Sequence, residues 1–339
     1  MAEPLVIQVM RAYKDALLAL EQAQVGRMTR AWMFLDKNLS ADIRILAEEI
    51  GRARASGGEL TFTQTYSQAR YQTLLAQIRI EMQRYEQAAT GIIRDGQGDM
   101  AQMGVRHAQG AISASYQTFG VRGTFVRLPV RAVEHMVGNT GDGGALFGVL
   151  QQRALAPTAI EGLTDALTEA TARGWNPRKT ARVMQNGLTG GLQKALVIAR
   201  TEQLRVYRMA SDQAYRESGV VSGKRRLATR DTRTCLACLA LDGEYIPIEA
   251  EMYDHVCGRC TAIPVVAGLP ETKWQRGPDW FASLQADTQR EMMGTKRYQA
   301  WHEGVFAFED LATVTDDPVW GRAPQVTPLS VLSGVSQGL

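Results

Sequence analysis

All four cysteines of this 339-residue chain fall in one short stretch, as Cys235-Leu-Ala-Cys238 and Cys257-Gly-Arg-Cys260. Two CxxC pairs separated by the eighteen residues 239–256 have the spacing of a metal knuckle. Each pair sets two thiolates on one side of a tight turn, and the intervening loop brings the second pair round to complete a tetrahedron. Zinc suits these donors because it is soft enough for sulfur, needs no redox partner and tolerates any fold that supplies four ligands. Two disulfides are the rival arrangement, and the two-residue spacing disfavours them. Cys235, Cys238 and Cys260 are the firm members of the set. Cys257 takes the fourth place first, and His255, two residues earlier, takes it second.

Four protein ligands close a zinc site and make it structural. A catalytic zinc keeps one position for water. Only a set with three ligands engaged would leave that position, and Asp231, Asp242 or Glu202 would then be the candidate bases. The chain offers no other acid–base or nucleophile constellation, so the expectation is a protein that is not an enzyme.

The residues around the cysteines carry a resemblance. Ala199-Arg200-Thr201-Glu202, Asp231-Thr232-Arg233-Thr234-Cys235, Cys238, Asp242-Gly243, His255, Arg259 and Cys260 stand in an order similar to the head-morphogenesis domain of the phage Mu protein F family. That family comprises minor head proteins of tailed phages. The clear likeness covers residues 170–266. The chain departs at Val256, where the family has proline, and at Cys257, which lies one place before the usual position, now Gly258. The departure leaves the fourth ligand open between Cys257 and His255. The resemblance implies a structural minor head protein, an adaptor that works with the portal protein and the major capsid or scaffold protein during procapsid assembly. It would be found in the virion, in the head interior or portal region, and in the host cytoplasm during assembly. Arg200, Thr201, Glu202, Asp231, Arg233, Asp242, Gly243 and Arg259 carry over as residues that support the domain, with an ion pair expected between Glu202 and Arg233.

Charge adds an alternative. Lys224, Arg225, Arg226 and Arg230, with Arg233, form a local basic cluster beside the cysteines. Such a cluster would allow weak contact with packaged DNA, and a zinc-dependent DNA-binding protein or nuclease is the second functional reading. The net charge of +3 implies no global field toward nucleic acid. No apolar stretch approaches a membrane span, and the start lacks the pattern of a signal peptide, so a reducing cytoplasm is expected.

The elements that must position these residues read as mainly α. The expected architecture is a long-helix N-terminal bundle, then a helical domain carrying a small β zinc-binding module, then a short-helix C-terminal tail. In chain order these are a long-helix region (1–138), helices of the Mu F-like domain (145–222), the zinc-knuckle module (223–268), short helices packing back on the helical body (278–322) and a flexible tail (323–339). Val6, Met10, Tyr13, Leu17 and Leu20 form a helical stripe, which Asp36–Ser40 is expected to break before a second helix bearing Ile43, Leu46 and Ile50. Tyr71, Leu75, Ile78, Met82, Tyr85, Ala89 and Ile92 form a heptad seam that packs on the protein's own first helix. Asn139–Gly144 reads as a linker. Asn176-Pro177 caps a helix, and a separate helix from about Leu188 or Gly191 carries Arg200–Glu202. Lys224–Thr229 and Thr261–Val266 read as strands, and Cys238–Ile248 as a hairpin turned at Asp242-Gly243.

Overall fold

The structure is a computed structural model that describes residues 3–56, 69–121, 155–173, 175–317 and 321–334. It is mainly α, with a small β element, as the patterning predicts. Among the described residues four long helices come first: α1 (Leu5–Ala55), α2 (Ala69–Thr118), α3 (Leu155–Arg173) and α4 (Pro177–Glu217). Then follow β1 (Val221–Leu227), α5 (Leu236–Ala240), β2 (Tyr245–Pro247) and β3 (Thr261–Val266). The chain closes with α6 (Gly277–Ala282), α7 (Ala286–Met293), α8 (Thr295–His302), a 3-10 turn (Phe308–Leu311), β4 (Ala312–Asp317), β5 (Gly321–Val326) and α9 (Leu329–Leu332). The linker expected at 139–144 lies outside the described residues.

The chain divides into two compact units: residues 1–18, 99–134 and 204–339, and residues 19–98 and 135–203. In the second unit α1 does not break at Asp36–Ser40. Leu35, Leu39 and Ile43 stay buried at successive steps of four, and Asn38 and Ser40 find partners without leaving the helix. The Ser40 hydroxyl donates to the Asp36 carbonyl at 2.7 Å, and Asn38 donates to Glu81 on α2 at 3.3 Å. The seam of α2 packs on α1 as expected, with Trp32 edge-on to Tyr85 at 5.1 Å. It closes on Ile93 rather than Ile92. A straight helix drifts about 20° per heptad against a strict 3.5 repeat, so the last step widens to four.

The expected break near Leu188 is also absent, and α4 runs unbroken from its Asn176 cap, whose side-chain oxygen accepts the Lys179 N–H at 2.9 Å. Gly187 is there for packing: a Cβ would collide with the backbone of Gly162 on α3. Close approach of two helix backbones offsets the poor helix propensity of glycine.

In the first unit, β1 is the central strand of an antiparallel sheet ordered β2-β1-β3, with Lys224 opposite Ile246 and Pro264. Pro264 is tolerated because β3 is an edge strand. The sheet packs on the start of α1 and the end of α2 through Val6, Ile7, Met10, Ala111, Ala114, Leu227 and Ile263. Near this layer the His107 ring stacks on Tyr13 at 3.9 Å, and its Nδ1 lies 3.0 Å from the Tyr207 hydroxyl. Burial, and then the Arg106 charge, hold the imidazole down to about 4, against 6.5 when free. The unfolded chain therefore takes up this proton more readily than the folded one. Stability is complete above pH 6.5 and declines as pH falls toward 4, by about 2 kcal/mol after allowance for residual solvent contact. His107→Phe is expected to flatten the decline of melting temperature between those two pH values relative to the native chain.

Two expectations for the C-terminal part are corrected. Trp280, Phe281, Leu284, Tyr298, Trp301 and Phe306 do not pack back on the helical body. They form one core with Leu236, Cys238, Leu239 and Cys260, with Phe281 4.9 Å from Phe308 and 5.5 Å from Trp301. So few residues of β structure cannot supply a core alone, and the short helices provide it. The tail expected to be flexible from residue 323 is ordered as far as residue 334. β5 pairs antiparallel with β4 from Gly321 to Val326, which buries Ala323, and α9 follows. Backbone pairing needs no side-chain periodicity, so the sequence carries little sign of it.

Candidate metal centre

The first knuckle is set by the loop after β1. Thr234 N–H donates to the Asp231 carbonyl at 3.0 Å, and the Asp231 carboxylate accepts the Arg233 N–H and the Thr234 hydroxyl, each at 3.0 Å. These bonds close a tight turn that delivers Cys235 to the start of α5, on which Cys238 is buried. The second knuckle is tied to the first through Arg259. Its guanidinium grips Asp231 with two parallel bonds of 2.6 and 2.8 Å. That grip holds the Asp231 carboxyl down to about 2. Asp231→Asn would forfeit the charge-assisted pair, and a loss of about 1–2 kcal/mol in the first unit's unfolding is expected by denaturant titration.

Asp242-Gly243 is a turn, but not that of a hairpin. Residues 236–240 form α5 where the hairpin's first strand was expected, and β2 pairs antiparallel with β1. Asp242 is buried; its carboxylate accepts the Ala228 N–H at 2.8 Å and pairs with Arg230 at 3.0 Å. Gly243 has φ +91°, and its N–H donates to the Arg226 carbonyl at 2.9 Å.

Two groups of donors converge among the described residues, and either could hold a metal ion: Cys235, Cys238 and His255, and Cys238, Asp254 and Cys260. Within each group the donor atoms lie within 4.8 Å of one another. Tetrahedral zinc–sulfur bonds would bring the sulfurs to about 3.8 Å apart. Cys238 belongs to both groups. Cys257 belongs to neither; it sits at φ +58°, half-buried. The residue placed second for the fourth position, His255, is therefore the one the fold brings in.

Asp254 was not foreseen. Its carboxylate is buried: one oxygen accepts the His255 N–H at 3.0 Å and faces the Cys238 thiol at 3.9 Å, and the other accepts the Cys260 N–H at 3.1 Å and Arg208 at 3.2 Å. It orients two of the donors. Gly258 makes room for it, because a Cβ there would strike the carboxylate. The Nδ1 of His255 lies 2.9 Å from the Val256 carbonyl. A carbonyl only accepts, so Nδ1 carries the hydrogen and Nε2 keeps its lone pair for a metal.

The thiols compete for protons. The hydrogen bond from Cys238, joined by one from His255, holds Cys235 down to about 4. The bond to Cys238 lowers Cys260 as well, while Cys238 itself is pushed well up. Its bond with Cys235 raises His255 to about 9. A cation held by either group would take the place of the shared protons there. Two buried cationic groups already face the cluster's negative charge. Arg226 lies within the field of Cys260 and Asp254, and its Nη2 donates to the Tyr253 carbonyl at 2.7 Å. Lys14 donates to the Leu227 carbonyl at 2.8 Å and is held down to about 8 by burial, opposed by Cys260.

The basic cluster expected to face DNA is internal. Lys224 and Arg226 are buried, and Arg230 and Arg225 are largely so. Each has a carboxylate partner: Asp212, Glu244, Asp242 and Glu271 respectively. Local sequence could not reveal this, since the carboxylates lie 12 to 46 positions away. Arg233 is the exposed member, at 81 %, and its ion-pair partner is Asp231 at 3.9 Å, not Glu202. Arg200, Thr201 and Glu202 belong to the second unit: Arg200 pairs with Glu21 at 2.6 Å, Thr201 donates to the Val197 carbonyl at 2.7 Å, and Glu202 is buried.

Among the described residues no helix is long and apolar enough to cross a membrane. Comparison with family models, with curated proteins and with solved structures finds no match for this chain.

Proposed function

We propose that this chain is a structural minor head protein of a tailed phage, an adaptor that joins portal and major capsid or scaffold proteins during head assembly. One zinc ion, held by Cys235, Cys238, His255 and Cys260, would stabilise it. The observation that carries the structural role of the metal is the sharing of Cys238 by two donor groups, with Asp254 accepting the His255 and Cys260 N–H groups. Three thiolates and one imidazole fill a tetrahedron and leave no position for a reacting water. The assembly role rests on the motif residues that resemble the Mu F-like domain. The DNA-directed alternative has less support, because its basic cluster is buried and paired.

Co-expression of the full chain with the portal and major capsid proteins of the same phage tests the assembly role. Co-purification with one or both is expected, and purification of the chain alone from such mixtures overturns it. Metal analysis tests the centre separately. One zinc per chain is expected, and cobalt substitution is expected to give the visible bands of a tetrahedral site with sulfur ligands.

A further inference from the structure

Met33 and Phe34 on α1 are 64 % and 69 % exposed, among the most exposed large hydrophobic side chains described. At about 100° per residue, Phe34 shares one face of this 51-residue helix with Arg27, Arg30, Lys37 and Arg44, and Met33 borders it. Arg30, Lys37 and Arg44 are exposed, and Arg27 is partly so. None of the four makes an ion pair among the described residues. The opposite face, through Met28, Trp32, Leu35, Leu39 and Ile43, is buried. The outer face is therefore a second amphipathic surface, with Phe34 among the cations and Met33 at their edge. From Arg27 to Arg44 it extends about 26 Å, the length of a helix of about 17 residues.

We infer that this face docks an acidic amphipathic helix of a partner protein. Carboxylates flanking the partner's apolar stripe would meet Arg27, Arg30, Lys37 and Arg44, while the stripe covers Met33 and Phe34. A phosphate backbone would satisfy the cations and leave both apolar side chains in water, so charge together with hydrophobicity selects protein over DNA. The inference stands independently of the metal centre and of the head-assembly reading.

The test uses the full-length chain and a fluorescent synthetic helix of about 20 residues, with leucines on one stripe and glutamates beside it. Controls are a scrambled peptide of equal charge and a short DNA duplex. The helix is expected to bind more tightly than the scramble, by anisotropy. Phe34→Ser is expected to weaken binding about tenfold. The double variant R30E/K37E should weaken it by about tenfold and reduce its salt dependence. Both changes are on the exposed face, and unchanged melting temperature and zinc content verify that the variants fold. Equal binding of helix and scramble overturns the proposal, as does indifference to Phe34→Ser. Duplex binding that depends on Arg30 and Lys37 but not on Phe34 also overturns it, in favour of a phosphate-binding face.

Discussion

Replacing Cys238 by serine is expected to abolish metal binding and unfold the small β module, whereas Cys257→Ser leaves both intact. Cys238 is the donor common to both convergent groups, and it is buried in the core that also contains Leu236, Phe281 and Phe308. A serine hydroxyl is a poor zinc ligand and leaves an unsatisfied polar group in that core. Metal binding at such a site contributes on the order of 10 kcal/mol to folding. The melting transition of the first unit should therefore fall by more than about 10 °C. A chelator should produce the same loss in the native chain, with recovery on adding zinc. Cys257 stands outside both groups, so its serine variant should keep one zinc per chain and a melting temperature near the native value. His255→Ala should lose metal affinity instead. The reverse pattern, with zinc lost from Cys257→Ser and kept by His255→Ala, would refute the ligand set.

What sequence could reveal of this centre was what is local. The strand at 261–266 is set by neighbours a few positions away and appears where the pattern places it, and three of the four paired cysteines, Cys235, Cys238 and Cys260, enter the donor groups. The fourth donor was misplaced because its position depends on backbone shape. Cys257 lies in the left-handed region and Gly258 is crowded by Asp254, a combination that one-dimensional spacing does not encode. The basic cluster was misread for another reason. Lysine and arginine default to the surface unless paired, and each partner here lies far along the chain. Helix breaks expected at Asp36–Ser40 and before Gly191 follow residue propensity, which the buried stripe of α1 and the Gly162–Gly187 crossing override. Lys14, which donates to the Leu227 carbonyl from a helix 213 positions earlier, has no local signature at all.

The second large effect is expected at Asp212 and Lys224, the ion pair that fastens the end of α4 to the central strand β1. Lys224 is 0 % exposed, and its ammonium bonds to the Asp212 carboxylate. Burial pushes the Asp212 carboxyl up and the Lys224 ammonium down, and each partner's charge opposes the other's shift. The charged state of each therefore depends on the presence of the other. Asp212→Ala would strand a cation in the interior, next to Arg208 and Arg216. Such one-sided removal costs about 3–5 kcal/mol, far more than the pair itself is worth against apolar residues of similar size. The double variant D212L/K224M should thus recover most of the loss, because no unpaired charge remains. Urea titration of the three variants gives the comparison: a deep fall for D212A, a similar fall for K224M alone, and near-native stability for the double. Equal loss in single and double variants would mean that packing, not stranded charge, sets the penalty. Zinc content should stay at one per chain in the double variant, since neither residue touches the metal donors, and this separates the anchoring of β1 from the integrity of the centre.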